Sequence, residues 1–366
     1  MDRIPPALAP IAPIFGLIYQ TGVRLRNHAY SSGLLRTRRL ERPVISIGNM
    51  TTGGTGKTPF VIHLAETLRN AGCDITILTR GYGRTDADKT IILPPGDGTI
   101  ANASLVGDEP TLLRRRLPYA WMGISAHRFE TGNAILCEAP RTVFILDDGF
   151  QHRGLFRNLD IVMIDASRPL ADERIIPCGA LREPLTGLRR ARMVIINENS
   201  SSGNADATED GDNAPPSTAM PVEKSLRKLA PESVIFHCIQ RIKYLIPFDR
   251  WVCSQDQDEA TSTTVLPESV FLAAAIGNPE RFKRDVRQMG IAVVGSRFFR
   301  DHDVIGVSTW NTLAMEAQQE NAKAIVITEK DAVKISTPPD FPLLVAVQTT
   351  ELREADRFRE ILRSCI

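Results

Sequence analysis

The sequence predicts an α/β protein made of two α/β/α (Rossmann-like, P-loop) domains, with mainly parallel sheets and a cleft between them. Three observations lead there. Short apolar runs rich in β-branched residues alternate with helix-period stretches through the first half, and strands apolar on both faces imply a sheet covered by helices on both sides. Residues 199–220 then turn to Ser, Gly, Asn, Asp and Pro with four acidic residues, a composition that buries little apolar surface and reads as a linker or insertion. Beyond it the same alternation resumes. With 366 residues, 43% apolar and 24% charged, the chain is long enough for two cores and globular in composition.

From the N-terminus, residues 1–35 are assigned to an amphipathic membrane-docking helix. Residues 4–23 carry no charge, but Pro5, Pro6, Pro10 and Pro13 interrupt the first half, and each removes a backbone donor that hydrocarbon cannot replace. The part that stays helical, from about Pro13, is too short to cross a core of roughly 30 Å. Within it Ile14, Leu17, Ile18, Thr21 and Leu25 fall on one stripe. Residues 2–42 carry seven arginines and a local net charge of +5. An apolar stripe followed by arginines suits the headgroup layer of an anionic leaflet, and a helix covering the first sheet is equally compatible. The prolines and the missing basic start argue against a cleaved signal peptide.

Residues 36–198 form the expected P-loop domain, with strands at 43–47, 74–78, 142–146, 160–164 and 192–196 and helices at 58–71 and 125–139. Residues 199–230 are the linker or insertion. Residues 231–366 form a smaller α/β domain: strand 270–276, helix 279–289, strand 291–295, a helix to about Glu320, and strand 324–328. No internal repeat is present. The net charge of +1 excludes a globally basic nucleic-acid binder. Six scattered cysteines without a CxxC pair fit a reducing compartment better than a zinc site or a disulfide framework.

The chemistry starts at GNMTTGGTGKTP, residues 48–59, between a strand and a helix whose apolar side is Val61, Ile62, Leu64, Ala65 and Leu68. That context suits a phosphate loop. Gly53, Gly54, Thr55 and Gly56 let successive N–H groups converge on phosphate oxygens, and the helix N-terminus adds partial positive charge. Lys57 reaches the outer phosphates, the Thr58 hydroxyl ligates Mg²⁺, and Pro59 sits in the first turn, where its missing donor costs nothing. Thr51 stands where the usual pattern has its first glycine. A phosphate loop also needs a carboxylate at a neighbouring strand end, and VFILDDGFQH supplies Asp147 and Asp148. VGDEPTLL offers Asp108 and Glu109 at a helix start, either as a cap or as the carboxylate that accepts a hydroxyl proton. Arg80, Arg84 and Arg128 stand in TRGYGR and SAHRFE, where they are candidates for phosphate or sugar contacts.

Taken in order, GNMTTGGTGKTP, LTRGYGR, VGDEP, LDDGFQH, CGALREP, FRDHD and TEKDAVK resemble the tetraacyldisaccharide 4′-kinase family of the lipid A pathway over most of the chain. The resemblance implies transfer of the ATP γ-phosphate, with Mg²⁺, to the 4′-hydroxyl of an acylated glucosamine disaccharide 1-phosphate. It places this at the cytoplasmic face of the inner membrane, on an anionic surface and with no nucleic acid involved. It assigns Asp108 as base, His302 as its partner from the other lobe, and Lys57 as the catalytic lysine. Thr58, Asp147, Asp148 and Glu109 become metal positions, and Arg182 and Glu183 join the loop in binding nucleotide. Arg80, Tyr82, Arg128, Gln151 and His152 become substrate positions. One departure is visible: the family commonly has DHH or DHY followed by an aromatic, whereas here Asp303 follows His302 and Ile305 takes the aromatic place.

Three rivals are a non-catalytic nucleotide-binding scaffold, which would not need Asp108 together with Asp147 and Asp148, a partner-gated P-loop ATPase, which lacks its trans lysine because Thr52 occupies that place, and a GTPase reading guanine through TEKD. The spacing opposes the last, since Lys330 directly precedes Asp331.

Overall fold

The computed structural model describes residues 12–82, 84, 86, 88–96, 103–167, 170, 173–198, 219–253, 266–301 and 303–366. Among the described residues twelve strands follow one another: β1 (Val44–Asn49), β2 (Ile75–Thr79), β3 (Ile91–Leu93), β4 (Trp121–Ile124), β5 (Val143–Asp147), β6 (Leu159–Asp165), β7 (Met193–Glu198), β8 (Val234–Pro247), β9 (Ser269–Ala274), β10 (Ala292–Phe298), β11 (Ala324–Thr328) and β12 (Leu343–Leu352). They form one sheet in the order β10-β9-β11-β12-β8-β7-β6-β1-β5-β2-β4-β3. Every neighbouring pair is parallel except β3–β4 at one edge and β8–β12 in the middle.

The mainly parallel α/β architecture is as expected, but the two anticipated sheets are two arms of one. The reason is the length of β8. Its first residues pair parallel with β7, from Met193↔Val234 to Glu198↔Ile239. From Cys238 to Pro247 it pairs antiparallel with β12. Strands of the first arm therefore run up β8 and end near Ile239. Strands of the second arm run down it, and Thr328 at the end of β11 lies beside Ala346, which opposes Leu245. The carboxyl ends of both arms face each other across the middle of β8. Ligands of open α/β sheets bind outside strand carboxyl ends, so this topology aims two sets of loops into one space.

The helices that shape this space are α1 (Ala12–Ser31), α2 (Lys57–Asn70), α3 (Ala103–Val106), α4 (Asp108–Arg116), α5 (Arg128–Leu136), α6 (Ala219–Leu229), α7 (Phe248–Cys253), α8 (Pro279–Gln288), α9 (Val307–Gln319), α10 (Glu329–Ala332) and α11 (Ala355–Arg363). The stripe expected on α2 is buried, with Phe60 added to it, and packs on Ile45, Ile47, Ile77 and Ile145 of the sheet. Burying a side chain of that size is worth about 1.5–3 kcal/mol, which fixes the helix that carries Lys57.

Helix α1 turns its apolar stripe outward. Its buried residues are Ala12 and Gly16, whereas Ile14, Phe15, Leu17, Ile18 and Leu25 are each more than half exposed. The apolar stripe thus does not cover the sheet. Polar bonds fasten the other side: Tyr19 Oη donates to the Arg182 carbonyl at 3.0 Å, Arg26 to the Gln151 carbonyl at 2.9 Å, and Arg153 to the Asn27 carbonyl at 2.6 Å. Among the described residues no helix is long and apolar enough to cross a membrane. Most of the expected linker, 199–218, lies outside the described residues. All six cysteines are unpaired.

Candidate active site

The phosphate loop is built as its sequence suggests, but what holds it comes from far away. Gly53 and Gly56 have φ of 103° and 84°, left-handed values that a side chain would strain. A Cβ on Gly56 would also collide with the side-chain amides of Gln240 and Asn197. These amides tie the loop down: Gln240 Nε2 donates to the Gly56 carbonyl at 2.7 Å, and Asn197 Nδ2 to the Thr55 carbonyl at 3.2 Å. Asn49 Nδ2 donates to the Thr51 carbonyl and to Thr55 Oγ1. The Thr51, Thr55 and Gly56 carbonyls are thereby occupied, and the Thr55 N–H turns back to the Gly53 carbonyl at 3.0 Å. Gly48, the first glycine of the motif, serves packing instead, since a Cβ there would meet Phe150 at 2.5 Å.

Lys57 opens α2, and its Nζ stands 3.4 Å from Asp148 Oδ1. The neighbouring acids Asp147 and Asp148 have different environments, which move their carboxyls in opposite directions from the ordinary value. Asp147, at the end of β5, is buried and accepts from Thr79 Oγ1 at 3.0 Å. Burial, with Glu109 and Asp148 nearby, pushes its carboxyl up to about 6. Asp148, in a left-handed conformation at φ 48°, receives both oxygens' worth of pairing from Arg182 at 2.9 and 2.7 Å. Burial opposes its charge, but Lys57 and Arg182 outweigh burial and hold its carboxyl below the usual range. Glu109 is held low chiefly by Lys330, whose Nζ lies 2.6 Å from Oε1. The same Oε1 accepts from Thr58 Oγ1 at 3.4 Å.

These residues fit Mg²⁺. Asp147 is a buried carboxyl crowded by two others, which a divalent ion would relieve. Glu109 lies near it and accepts from the Thr58 hydroxyl, and Mg²⁺ needs only one or two carboxylates with phosphates and water supplying the rest. Asp148 departs from the expectation, because its carboxylate is committed to Arg182 and Lys57. Among the described residues no group of three or more His, Cys, Asp or Glu forms a metal cage by itself.

The cavity between the arms has a volume of about 1170 Å³ and is lined by Gly53 to Thr58, Glu109, Asp148, Arg80, Tyr82, Arg128, Gln151, His152 and Arg182, as expected. Burial, reinforced by Arg128, Arg157, Arg26 and Arg80, lowers His152 to about 4, so its ring is neutral. Arg128 is buried and donates to the Asp148 carbonyl at 3.4 Å.

Three expectations change. Glu183 does not line the cavity. Its oxygens are taken by Arg190 at 2.9 Å, Asn27 at 3.1 Å and Gln151 at 3.0 Å, so it locks α1 and Gln151 in place. Arg84 is buried against the carbonyls of Lys89 and Ile124 and is a structural residue. Asp108 is the first residue of α4, buried one position behind Glu109 and outside the cavity wall, with Oδ1 accepting from the Glu109 N–H at 2.9 Å. His302 lies outside the described residues.

FRDHD and TEKD were singled out in the sequence, but their part in the cavity wall, and that of the turn after β9, was not. Gly277, Asn278, Arg281, Asp301, Glu329 and Lys330 all line the cavity. A Cβ on Gly277 would stand 3.4 Å from the Gly54 N atom, so the turn after β9 lies against the phosphate loop. Arg116 of α4 pairs with Glu329 of α10 at 2.8 Å, both largely buried, and joins the arms beneath the cavity.

Comparison with known proteins agrees with this arrangement. A family model described as tetraacyldisaccharide-1-P 4′-kinase matches residues 8–366. The tetraacyldisaccharide 4′-kinase of Syntrophus aciditrophicus (strain SB) is 35% identical over 358 residues, which is 96% of this chain and 90% of that protein. The one from Geobacter sulfurreducens is 34% identical over 349 residues, 95% of this chain and 89% of its own. The crystal structure of LpxK from Aquifex aeolicus in complex with ATP matches with a TM-score of 0.71 at 26% identity, covering 98% of each chain. With a glycine loop and its lysine set against crowded carboxylates at the meeting point of two arms, this chain belongs to the tetraacyldisaccharide-1-P 4′-kinase family.

Proposed function

We propose that the cavity transfers the γ-phosphoryl group of ATP to the 4′-hydroxyl of a tetraacyldisaccharide 1-phosphate. The observation that carries this is the convergence of Lys57, Thr58, Glu109 and Asp148 on one cavity whose wall also includes α1, with the Asp147 carboxyl buried one residue behind Asp148 and close to Glu109. The loop N–H groups and Lys57 bind the phosphates, and Thr58, Asp147 and Glu109 hold the metal. When bound, Mg²⁺ neutralises charge on the outer phosphate oxygens and orients them. Asp108 serves as the base that takes the 4′-hydroxyl proton, with His302 as its partner, and catalytic contacts of this kind commonly tighten only with substrates in place. Arg80, Arg128 and the neutral His152 orient the sugar headgroup. Arg182 and Lys57 hold Asp148, which keeps the turn after β5 in its strained conformation.

The test is mass spectrometry of the lipid after incubation of the full chain with Mg·ATP and the acylated disaccharide 1-phosphate. The expected product is heavier by one phosphoryl group, and Asp108→Asn should make little of it. ATP hydrolysis without that product would instead favour a switch ATPase.

An acylated acceptor keeps its chains in a bilayer, and the exposed stripe of α1 gives the enzyme a way to reach it at the cytoplasmic face of the inner membrane. Ile14, Leu17, Ile18 and Leu25 all face outward, and Arg24 belongs to the same helix. Introducing two charges with Leu17→Glu and Ile18→Glu removes burial worth ~1.5–3 kcal/mol per side chain. Co-sedimentation with anionic vesicles is expected to fall at least about tenfold. Unchanged sedimentation would remove α1 as the docking element.

A further inference from the structure

The tetrapeptide TEKD, residues 328–331, follows β11 and is built more firmly than a turn of its length requires. Thr328 Oγ1 bonds Asp331 Oδ2 at 2.7 Å, and the Asp331 carboxylate also accepts from the Ala275 N–H at 3.2 Å and pairs with Lys334 at 3.0 Å. Glu329 pairs with Arg116 and accepts from the Gln348 N–H at 3.3 Å. Thr328, Glu329 and Asp331 thus bind the turn to β9, α4 and β12. Asp331 is committed in this way and cannot read a guanine, which closes the GTPase alternative. Lys330 reaches into the cavity from this base.

Its ammonium meets Glu109 Oε1 at 2.6 Å, and that oxygen is the one that accepts from Thr58 Oγ1. A metal held by Thr58 and Glu109 therefore competes with Lys330 for a single atom. Displaced from Glu109, the ammonium stays anchored by a rigid turn on the arm opposite Lys57. The pair is about one-quarter exposed on each side, so it adds little to stability by itself.

We propose that Lys330 is a second phosphoryl-stabilising cation, paired with Glu109 and released to the transferring phosphoryl group when Glu109 turns to the metal. This rests on the cavity being the phosphoryl-transfer site. In the transfer, the bond from the γ-phosphorus to the β–γ bridging oxygen breaks, with its electron pair staying on ADP. A bond forms to the 4′-oxygen, and the hydroxyl proton passes to Asp108. Lys330 makes no covalent bond. It supplies positive charge where charge spreads over the equatorial oxygens, as a cis arginine does in some GTPases.

The test compares full-length wild type, Lys330→Met and Lys330→Arg by calorimetry, with Mg·ADP alone and with Mg·ADP plus aluminium fluoride, in the presence of detergent-solubilised acylated disaccharide 1-phosphate. Lys330→Met is expected to bind Mg·ADP within about twofold of wild type, to lose at least ~tenfold of the fluoride-induced tightening, and to drop kcat by ~100-fold at unchanged KM for ATP. Lys330→Arg should recover part of both losses. If Lys330→Met does not fold, Lys330→Gln, which can still bond Glu109, takes its place with the same expectation. Full tightening in either neutral variant overturns the proposal and leaves Lys330 a strut. No tightening in wild type overturns the site assignment itself, and the proposal with it.

Discussion

Replacing Lys57 by Met is expected to lower kcat by ~10³-fold or more while weakening ATP binding far less. The asymmetry follows from what remains. The glycine N–H groups of the loop and the N-terminus of α2 still bind phosphate, because Gln240, Asn197 and Asn49 hold the loop from behind through its Gly56, Thr55 and Thr51 carbonyls. What disappears is a cation whose value grows as negative charge moves onto the leaving oxygens, so the loss belongs to the transition state and falls in kcat. Folding should survive, since Arg182 keeps its two bonds to Asp148 and Met preserves the length of the aliphatic stem. Steady-state kinetics on the lipid product, with ATP affinity measured separately, checks both halves. A kcat within tenfold of wild type would take Lys57 off the phosphates.

The part of this site that a sequence reveals is the part that one short segment supplies. Gly53 to Thr58 and Asp147–Asp148 are legible because strand, turn and helix follow within a dozen residues and the chemistry lies in the turn. Gln240 and Asn197 carry equal structural weight and were invisible, because topology alone brings them to the loop from more than 140 positions away. Strand β8 shows the same limit in the fold. Its sequence VIFHCIQRIKYLIP is neither continuously apolar nor cleanly alternating, since one stretch serves two arms with different neighbours. A reader of periodicity sees a gap there and infers two sheets. Strand β4, four residues with Gly123 inside, is too short and too plain to register. Conversely, the stripe on α1 was legible as a pattern while its direction was not: periodicity shows that one side is apolar, and only the polar bonds of Tyr19, Arg26 and Asn27 show which side turns inward. TEKD was seen and set aside because its spacing failed a known motif, although its spacing is what anchors Lys330.

Asp147→Asn is expected to stabilise the nucleotide-free protein while abolishing metal-dependent turnover, and the pH dependence of the gain identifies its cause. In the folded chain the carboxyl titrates near 6, above the ordinary value of 3.8. The folded state therefore holds this proton more tightly than the unfolded state does. Stability from this group is fully present below the unfolded value and is lost as pH rises through the folded one, so wild type weakens between about pH 4 and pH 6 and stays weakened above. A shift of that size corresponds to at most about 3 kcal/mol. Asparagine mimics the protonated acid, keeps an oxygen for the Thr79 hydroxyl, and titrates at no pH. The variant should thus melt with wild type near pH 4 and above it at pH 7 to 8. Saturating Mg·ADP should reverse the order, because wild type then uses the charge that burial penalises, and ligand bound to the folded state adds stability by mass action. Melting curves at two pH values, each with and without Mg·ADP, contain the whole experiment. A variant less stable than wild type at pH 8 without ligand would mean that Asp147 is a structural carboxylate already satisfied by its neighbours. A variant stabilised by Mg·ADP as strongly as wild type would remove Asp147 from the metal. The outcome expected here, a carboxylate that costs stability when the site is empty and returns it when the metal arrives, is what a binding residue crowded by Glu109 and Asp148 in a buried strand end should show.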